Sequence, residues 1–387
     1  MTLTRLLPLI LSLFLGACTI LPNQGPTTAA FDMEENRTPS ATAEGFIVAD
    51  LTPRTVKLLE GRGAPSFGSL GGAYRGAGQY RIGVGDAVSV SIWEANGGGL
   101  FATGAPGASG SRATGIPAQV VERDGAITIP YAGRVTVAGL MLSEAEAKIV
   151  EALQGKAIEP QAIVSVNQNV SNTVTVTGEV VNGRRIPLTQ AGDRILDVIA
   201  AAGGARSPTD ETVVTLSRGG HTLSIAMGKL IKNPSENIYA RAGDTITVVR
   251  EVKIFTALGA TGRNTLVDFP TSGITLEKAV AKAGGLINVL SDPGGVFLLR
   301  REHASLARKL DPTFPIANPN GYVNVVYRAN LRDPNTLFLA KRFDVLEDDI
   351  LYVSGAPSTE LQKFLTLVGL GTDSVNNLSL VASRLTP

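Results

Sequence analysis

Cysteine is nearly absent from this chain of 387 residues: Cys18 stands alone, which excludes any intrachain disulfide. Histidine is almost as scarce, with His221 and His303 the only two imidazoles. Neither has a neighbour at metal-ligand spacing, so no metal is expected and a solvated surface role suits both. No G-x-S-x-G, H-E-x-x-H or nucleotide-binding loop occurs. Carboxylates do sit side by side at Glu34 and Glu35 and at Asp348 and Asp349. Adjacent residues on a strand point to opposite faces, whereas glycosidase chemistry needs facing groups. No catalytic residue, cofactor or enzymatic activity is therefore expected. An excess of charge is lacking too: 35 Lys plus Arg balance 34 Asp plus Glu, so no global field draws nucleic acid. One Trp against 43 Gly points to short strands joined by many turns, with few aromatic anchors.

What is present begins at the N-terminus. Arg5 precedes the apolar run Leu6 to Leu15, too short to span a bilayer and right for the apolar core of an export signal. The run closes on Leu15-Gly16-Ala17-Cys18, which resembles the lipobox of bacterial lipoproteins. Residues 1–17 then read as a signal peptide and Cys18 as the lipid attachment site. Two or three acyl chains anchor firmly, at roughly 0.8 kcal/mol per buried methylene. Thr19 stands where an Asp would signal retention in the inner membrane, so the outer membrane is favoured. Residues 19–45 show no periodicity and read as a tether.

Strand signals follow. Ala87 to Trp93 alternates apolar and polar residues and predicts Val88, Val90 and Ile92 on one buried face. Residues 95–117 are rich in Gly, Ala and Ser and read as a loop insertion; no Lys or helix start follows that would make it a phosphate cradle. Val120 to Arg123 and Ala126 to Ile129 flank Asp124-Gly125, a hairpin signal. A helix is expected to open with Ser143 as its cap and Glu146 three residues on.

An internal repeat organises the rest. Residues 178–204 align without gaps to residues 259–285, with glycines coinciding at 178 and 259, at 192 and 273, and at the closing pairs. Each unit reads as strand, turn, strand and a short helix ended by Gly, then a strand ending in Arg (Val213 to Arg218, Val296 to Arg301) and a final strand after a Gly-Asp or Asp-Asp turn. The segment around Asp86 has the same shape. In each turn the Asp is expected to accept hydrogen bonds from its own backbone.

After Pro357 the pattern changes. Leu361, Phe364, Leu365, Val368, Val375 and Leu378 fall on one helical face, and Ser358 to Ser383 as one helix would measure about 39 Å, against about 30 Å of hydrocarbon. A single such helix leaves its polar face unsatisfied in lipid, while several in a ring line water. Periodicity alone leaves open a helix packed on its own domain or on a partner, and Gly369 and Gly371 weaken the span.

The lipobox, YRIGVGDAVSVSIWE, VERDGAITIPYAGRVTVAGLMLSEAEAKI, the two AGG helix ends and DDILYVSGAPSTELQKFLTLV together resemble the Wza-like outer-membrane polysaccharide export family. The Gly-rich insertion after Trp93-Glu94 makes the chain most similar to the CtrA/BexD type of capsule exporter. The resemblance implies an α+β fold: a tether and N-terminal segment (18–73), a polysaccharide export domain (74–170), two soluble-ligand-binding β-grasp (SLBB-like) modules (171–251 and 252–356) and a C-terminal amphipathic membrane helix (357–387). It also implies a homo-oligomer, an octamer by analogy, that conducts capsular polysaccharide and works with an inner-membrane co-polymerase and ABC transporter. The competing expectation is a periplasm-facing lipoprotein that binds a ligand or sugar and forms no pore.

Overall fold

A computed structural model describes residues 25–35, 45–63, 65–70, 79–94, 100, 112–288, 290–316, 318 and 320–356. Cys18 and the six apolar residues of the C-terminal pattern lie outside them. Among the described residues no helix is long and apolar enough to cross a membrane. The described residues divide into two compact units: those between 65 and 251 form one, and those between 25 and 63 with those between 252 and 356 form the other.

The first unit opens with a three-stranded antiparallel sheet in which Ala87–Glu94 is central, between Arg112–Val120 and Gln161–Gln168. Val88, Val90 and Ile92 are buried as alternation predicts, and Ile149 and Leu153 of the helix Leu142–Leu153 share their core. Three local expectations shift. The insertion ends earlier than read, because residues from Arg112 onward pair with Ala87–Glu94. The strand Ala126–Ile129 takes Gly133–Thr136 as its backbone partner, one turn further on than the hairpin signal implied. Asp124-Gly125 still turns the chain, but the Gln119 amide stands in for a strand, donating to Thr128 O and accepting from Thr128 N at 2.8 and 3.0 Å. The helix also starts earlier: Glu144 reaches back to the Met141 N–H at 2.8 Å, while Glu146 accepts from Val164 N.

The rest of this unit is the first repeat. Its five-stranded sheet runs His221–Ala226, Thr212–Arg218, Thr245–Arg250, Thr173–Gly178 and Arg184–Pro187. The helix Ile195–Ala201 buries Ile195, Val198 and Ile199 against it. Phe67, from the segment before the export domain, is fully buried in the same core, and its N–H and the Ser66 hydroxyl both bond to Glu236.

The second unit repeats the plan and extends it. Its six-stranded sheet runs Phe46–Asp50, Tyr322–Ala329, Ser291–His303, Ile350–Gly355, Lys253–Gly259 and Thr265–Phe269. In both repeats the opening strand pairs in parallel with the closing one, Gly178 opposite Val248 and Gly259 opposite Val353. At that point the backbones touch: a Cβ on Gly178 would lie 2.0 Å from Val248 O, and on Gly259 2.1 Å from Val353 O, with φ of +92° and +88°. Glycine is required twice over, for space and for the left-handed backbone. Two features separate the second copy from the first. Where the first turns at Gly219-Gly220, the second inserts the helix Ala304–Leu310 and the segment to Tyr322. The edge strand Phe46–Asp50 is supplied by the N-terminal segment and pairs in parallel with Asn324 to Arg328.

Candidate functional site

The turn aspartates do what their position in the sequence predicts, and more. Asp86 Oδ2, Asp244 Oδ2 and Asp349 Oδ2 each accept from the N–H three residues back, on Gly83, Arg241 and Leu346, at 2.9, 2.7 and 2.7 Å. In the repeats an Arg from the long strand then closes on the carboxylate. Arg218 bonds Asp244 at 2.9 and 2.6 Å, and Arg300 bonds Asp349 at 2.8 and 2.6 Å, both as bidentate forks. The second partner is Arg300, one residue before the strand-ending Arg that the repeat pattern marks. Asp86 has no Arg; the Val170 and Ser171 N–H groups and the Ser171 hydroxyl bond it instead, at 2.8, 2.8 and 2.7 Å. Burial pushes the Asp86 carboxyl up, yet these four donors together hold it below the usual aspartate range. Asp348 and Asp349 part company: Asp349 is buried under Arg300, and Asp348 faces out with φ of +64°.

Around Arg300 the second module carries a buried polar network. Tyr327 Oη donates to Glu302 Oε1 at 2.7 Å, and Arg62 from the N-terminal segment closes on the same carboxylate. Burial, then the charge of Glu302, push the Tyr327 hydroxyl up, so it stays a donor. Burial works against the Arg300 charge, but the bonds and charge of Asp349 more than offset it. Above this network lies an open groove of about 680 Å³. Its walls combine the end of the long strand (Arg301, Glu302, His303) and the turn Leu346 to Asp349 with the two features peculiar to the second copy, Arg62 from the N-terminal segment and Lys309 and Tyr322 from the insertion. Tyr322 is 65% exposed, with Arg301 5.7 Å from its ring centre and His303 edge-on at 5.9 Å. His303 caps its helix through Nδ1, which accepts from Ser305 N at 3.2 Å, and His221 is an exposed strand residue beside a turn. Among the described residues no three His, Cys, Asp or Glu are placed to hold a metal.

The N-terminal segment crosses the outer face of the same sheet. The helix Thr28–Glu35 lies in the stretch that composition presents as tether. Phe31 is buried, with its ring centre 4.1 Å from that of Phe297 and 6.1 Å from that of Tyr352. Thr28 Oγ1 donates to Asp292 and touches Ser354 Oγ at 2.9 Å, Tyr352 Oη donates to Pro26 O, and Arg328 joins Asp32 and Asp50. Sequence reading misses this clasp because one Phe in a polar stretch has no periodicity to announce it.

Comparison with known proteins gives this architecture a family. Residues 75–167 match the polysaccharide biosynthesis/export protein family, and residues 173–226 match the SLBB domain. The chain is 38% identical over 370 residues to the capsule polysaccharide export protein BexD of Haemophilus influenzae, covering 93% of each. The chain belongs to the polysaccharide export protein family. It is also 33% identical to the capsule polysaccharide export outer membrane protein CtrA of Neisseria meningitidis serogroup A, over 95% of this chain and 97% of that one. The Vi polysaccharide export protein VexA/TviF of Salmonella typhi is 28% identical over 75% of this chain and 79% of its own length. The family thus shows an export segment followed by an SLBB domain in a mixed α and β fold, as the resemblance implies. The second module shares the strand pairing, the glycine contact and the Arg–Asp fork of the first, although the SLBB match ends at residue 226.

Proposed function

We propose that this protein exports capsular polysaccharide across the outer membrane as an oligomeric conduit. The observation that carries the reading is the 38% identity to BexD over 93% of both chains. Capsule export and an outer-membrane address follow from that relationship and from the relationship to CtrA. The finer assignments rest on the sequence. Cys18 carries the lipid, and the helix written by Leu361, Phe364, Leu365, Val368, Val375 and Leu378 is the second attachment, its apolar stripe towards lipid and its polar face towards water. The proposed domain limits are those given above for 18–73, 74–170, 171–251, 252–356 and 357–387. Several copies, eight by analogy, form the ring, and an inner-membrane co-polymerase and ABC transporter deliver polymer to it. The chain transports and does not catalyse: it carries no nucleotide-binding loop, so the energy of export comes from the inner membrane.

A second reading has one observation in its favour. The groove beside Tyr322 combines an exposed ring with cations (Arg62, Arg301, Lys309) and carboxylates (Glu302, Glu347, Asp348), a ring and a set of hydrogen-bonding groups that suit a sugar and its hydroxyls. On that reading the protein is a periplasmic binder with no pore. An epitope placed after Leu385 separates the two. Labelling on intact cells supports the conduit, and strictly periplasmic labelling sinks it. Images of detergent-purified particles test the ring, since a monomer contradicts a conduit.

A further inference from the structure

The two modules share one strand register, so each serves as a control for the other, and they treat the outer face of the sheet in opposite ways. In the first, Ser224, Thr215, Thr247 and Thr177 stand side by side across four strands. Thr222, Ser217, Thr245 and Thr175 form the next row. Neighbours in a row lie about 4.8 Å apart and the rows about 7 Å apart. None of these side chains is buried, while Val176, Val214, Leu216 and Ile246 between them fill the core on the other side. The hydroxyls of Thr215 and Ser224 bond each other at 2.8 Å, and those of Ser217 and Thr222 at 3.0 Å. Each pair thereby uses one of its two donors. The hydroxyls of Thr175, Thr177, Thr245 and Thr247 bond no other group among the described residues.

The second module answers the same positions differently. Its ladders put Phe297 and Leu299 where the first has Thr215 and Ser217, and Ile350 and Tyr352 where it has Thr245 and Thr247. Leu258 stands for Thr177 and Val326 for Thr222. Phe31 of the clasp then covers Phe297, Val326 and Tyr352, so that face is apolar and filled by the chain's own N-terminal segment. Strand propensity favours Thr, but it acts on both modules alike. Nor does propensity account for the lack of charge. An ordinary soluble surface is about 25–35% charged, so about two of these positions should carry Lys, Arg, Asp or Glu. None does, and the first cation of the row is Arg185, beside Thr175 at the rim.

A two-row array of neutral hydroxyls suits one kind of partner. Each hydroxyl both donates and accepts, so it exchanges a bond to water for a bond to a sugar hydroxyl of much the same strength. Without charge the face neither traps nor repels an ionic polymer, and without an aromatic ring it offers no stacking platform on which a sugar would lodge. Contact is then frequent and brief. A second copy of the chain would gain little there, because the core of a subunit interface is apolar. We propose that the hydroxyl face of the first module is the surface along which the exported capsular polysaccharide slides. The inference rests on the conduit reading above, and it leaves the matching face of the second module to its clasp.

The test uses the full-length protein in its own cells, with the inner-membrane ABC transporter active or inactivated. Thr247→Cys, near the centre of the face, is compared with Ile231→Cys, an exposed position on the helix Met227–Lys232 that packs on the core side. A small water-soluble maleimide is added, and alkylation of the new thiol is followed by peptide mass. Polymer in transit should slow the reaction at residue 247 about fivefold or more and leave residue 231 unchanged. Equal rates at residue 247 with and without transport overturn the inference. If both are fast the face meets only water, and if both are slow a second copy covers it. Should Thr247→Cys fail to assemble, Thr222→Cys on the edge strand gives the same comparison. Deletion of the protein that leaves surface polymer unchanged removes the export reading itself, and the sliding face with it.

Discussion

Arg300 and Asp349 form a two-bond fork, at 2.8 and 2.6 Å, with under a tenth of either side chain exposed. The pair joins the long strand of the second module to the turn that launches its closing strand, and Arg218 with Asp244 does the same in the first. Such a pair is costly to break on one side and cheap to replace as a whole.

Arg300→Met should therefore destabilise the second module by about 3–5 kcal/mol, since it leaves Asp349 buried without its partner. Adding Asp349→Leu should return much of the loss, short of about 1–3 kcal/mol for the Leu346 N–H that then lacks an acceptor. Hydrogen exchange at Leu298 and Leu351 reads this module alone, which matters because a chain of two units has no single midpoint.

At Gly259 and Gly178, Ala should cost at least about 2 kcal/mol each, as the new methyl meets a carbonyl that the parallel ladder holds in place. Gly243→Ala is the control. Its φ is +85° but nothing lies within 4 Å, so only the backbone preference of about 1–2 kcal/mol applies. A similar loss at all three positions, read by hydrogen exchange within each module, would refute the steric half of this account.

Asp86 ties the export domain to the residues that lead into the first module through bonds made to its charged form. A carboxyl held below its ordinary value adds stability that is complete above the unfolded pKa of about 3.9 and disappears as pH falls through the folded value. Acidification below pH of about 4 should thus release Val170 and Ser171 amides to exchange. Asp86→Asn, which turns an NH₂ towards donors, should show that release already at neutral pH, with a loss of about 1–3 kcal/mol.

Phe31→Ala should open the clasp, with a local cost of up to about 3–5 kcal/mol for a buried ring. Limited proteolysis between residues 25 and 45 is the readout. Cleavage should accelerate there while Ala87–Glu94 keeps its protection. Unchanged cleavage would mean that the hydrogen bonds of Thr28 and Asp32 hold the segment without the ring.

The sequence alone determined the periodic and the repeated. Alternation placed Val88, Val90 and Ile92 on a buried face because a strand turns successive side chains to opposite sides. Equal glycine spacing marked two copies of one module because the positions that need glycine are set by backbone geometry, which the copies share. The turn aspartates were legible for the same reason, their first acceptor bond being three residues away. Only the tertiary structure decided what joins residues far apart in the chain. Arg62 meets Glu302, Phe31 meets Phe297 and Phe46–Asp50 extends a sheet whose other strands begin at residue 253. Gln119 likewise displaced the hairpin that Asp124-Gly125 announced, since a side-chain amide can take the place of a strand. Local pattern records the surroundings of each residue along the chain; a contact across more than two hundred residues leaves no periodic trace on either partner.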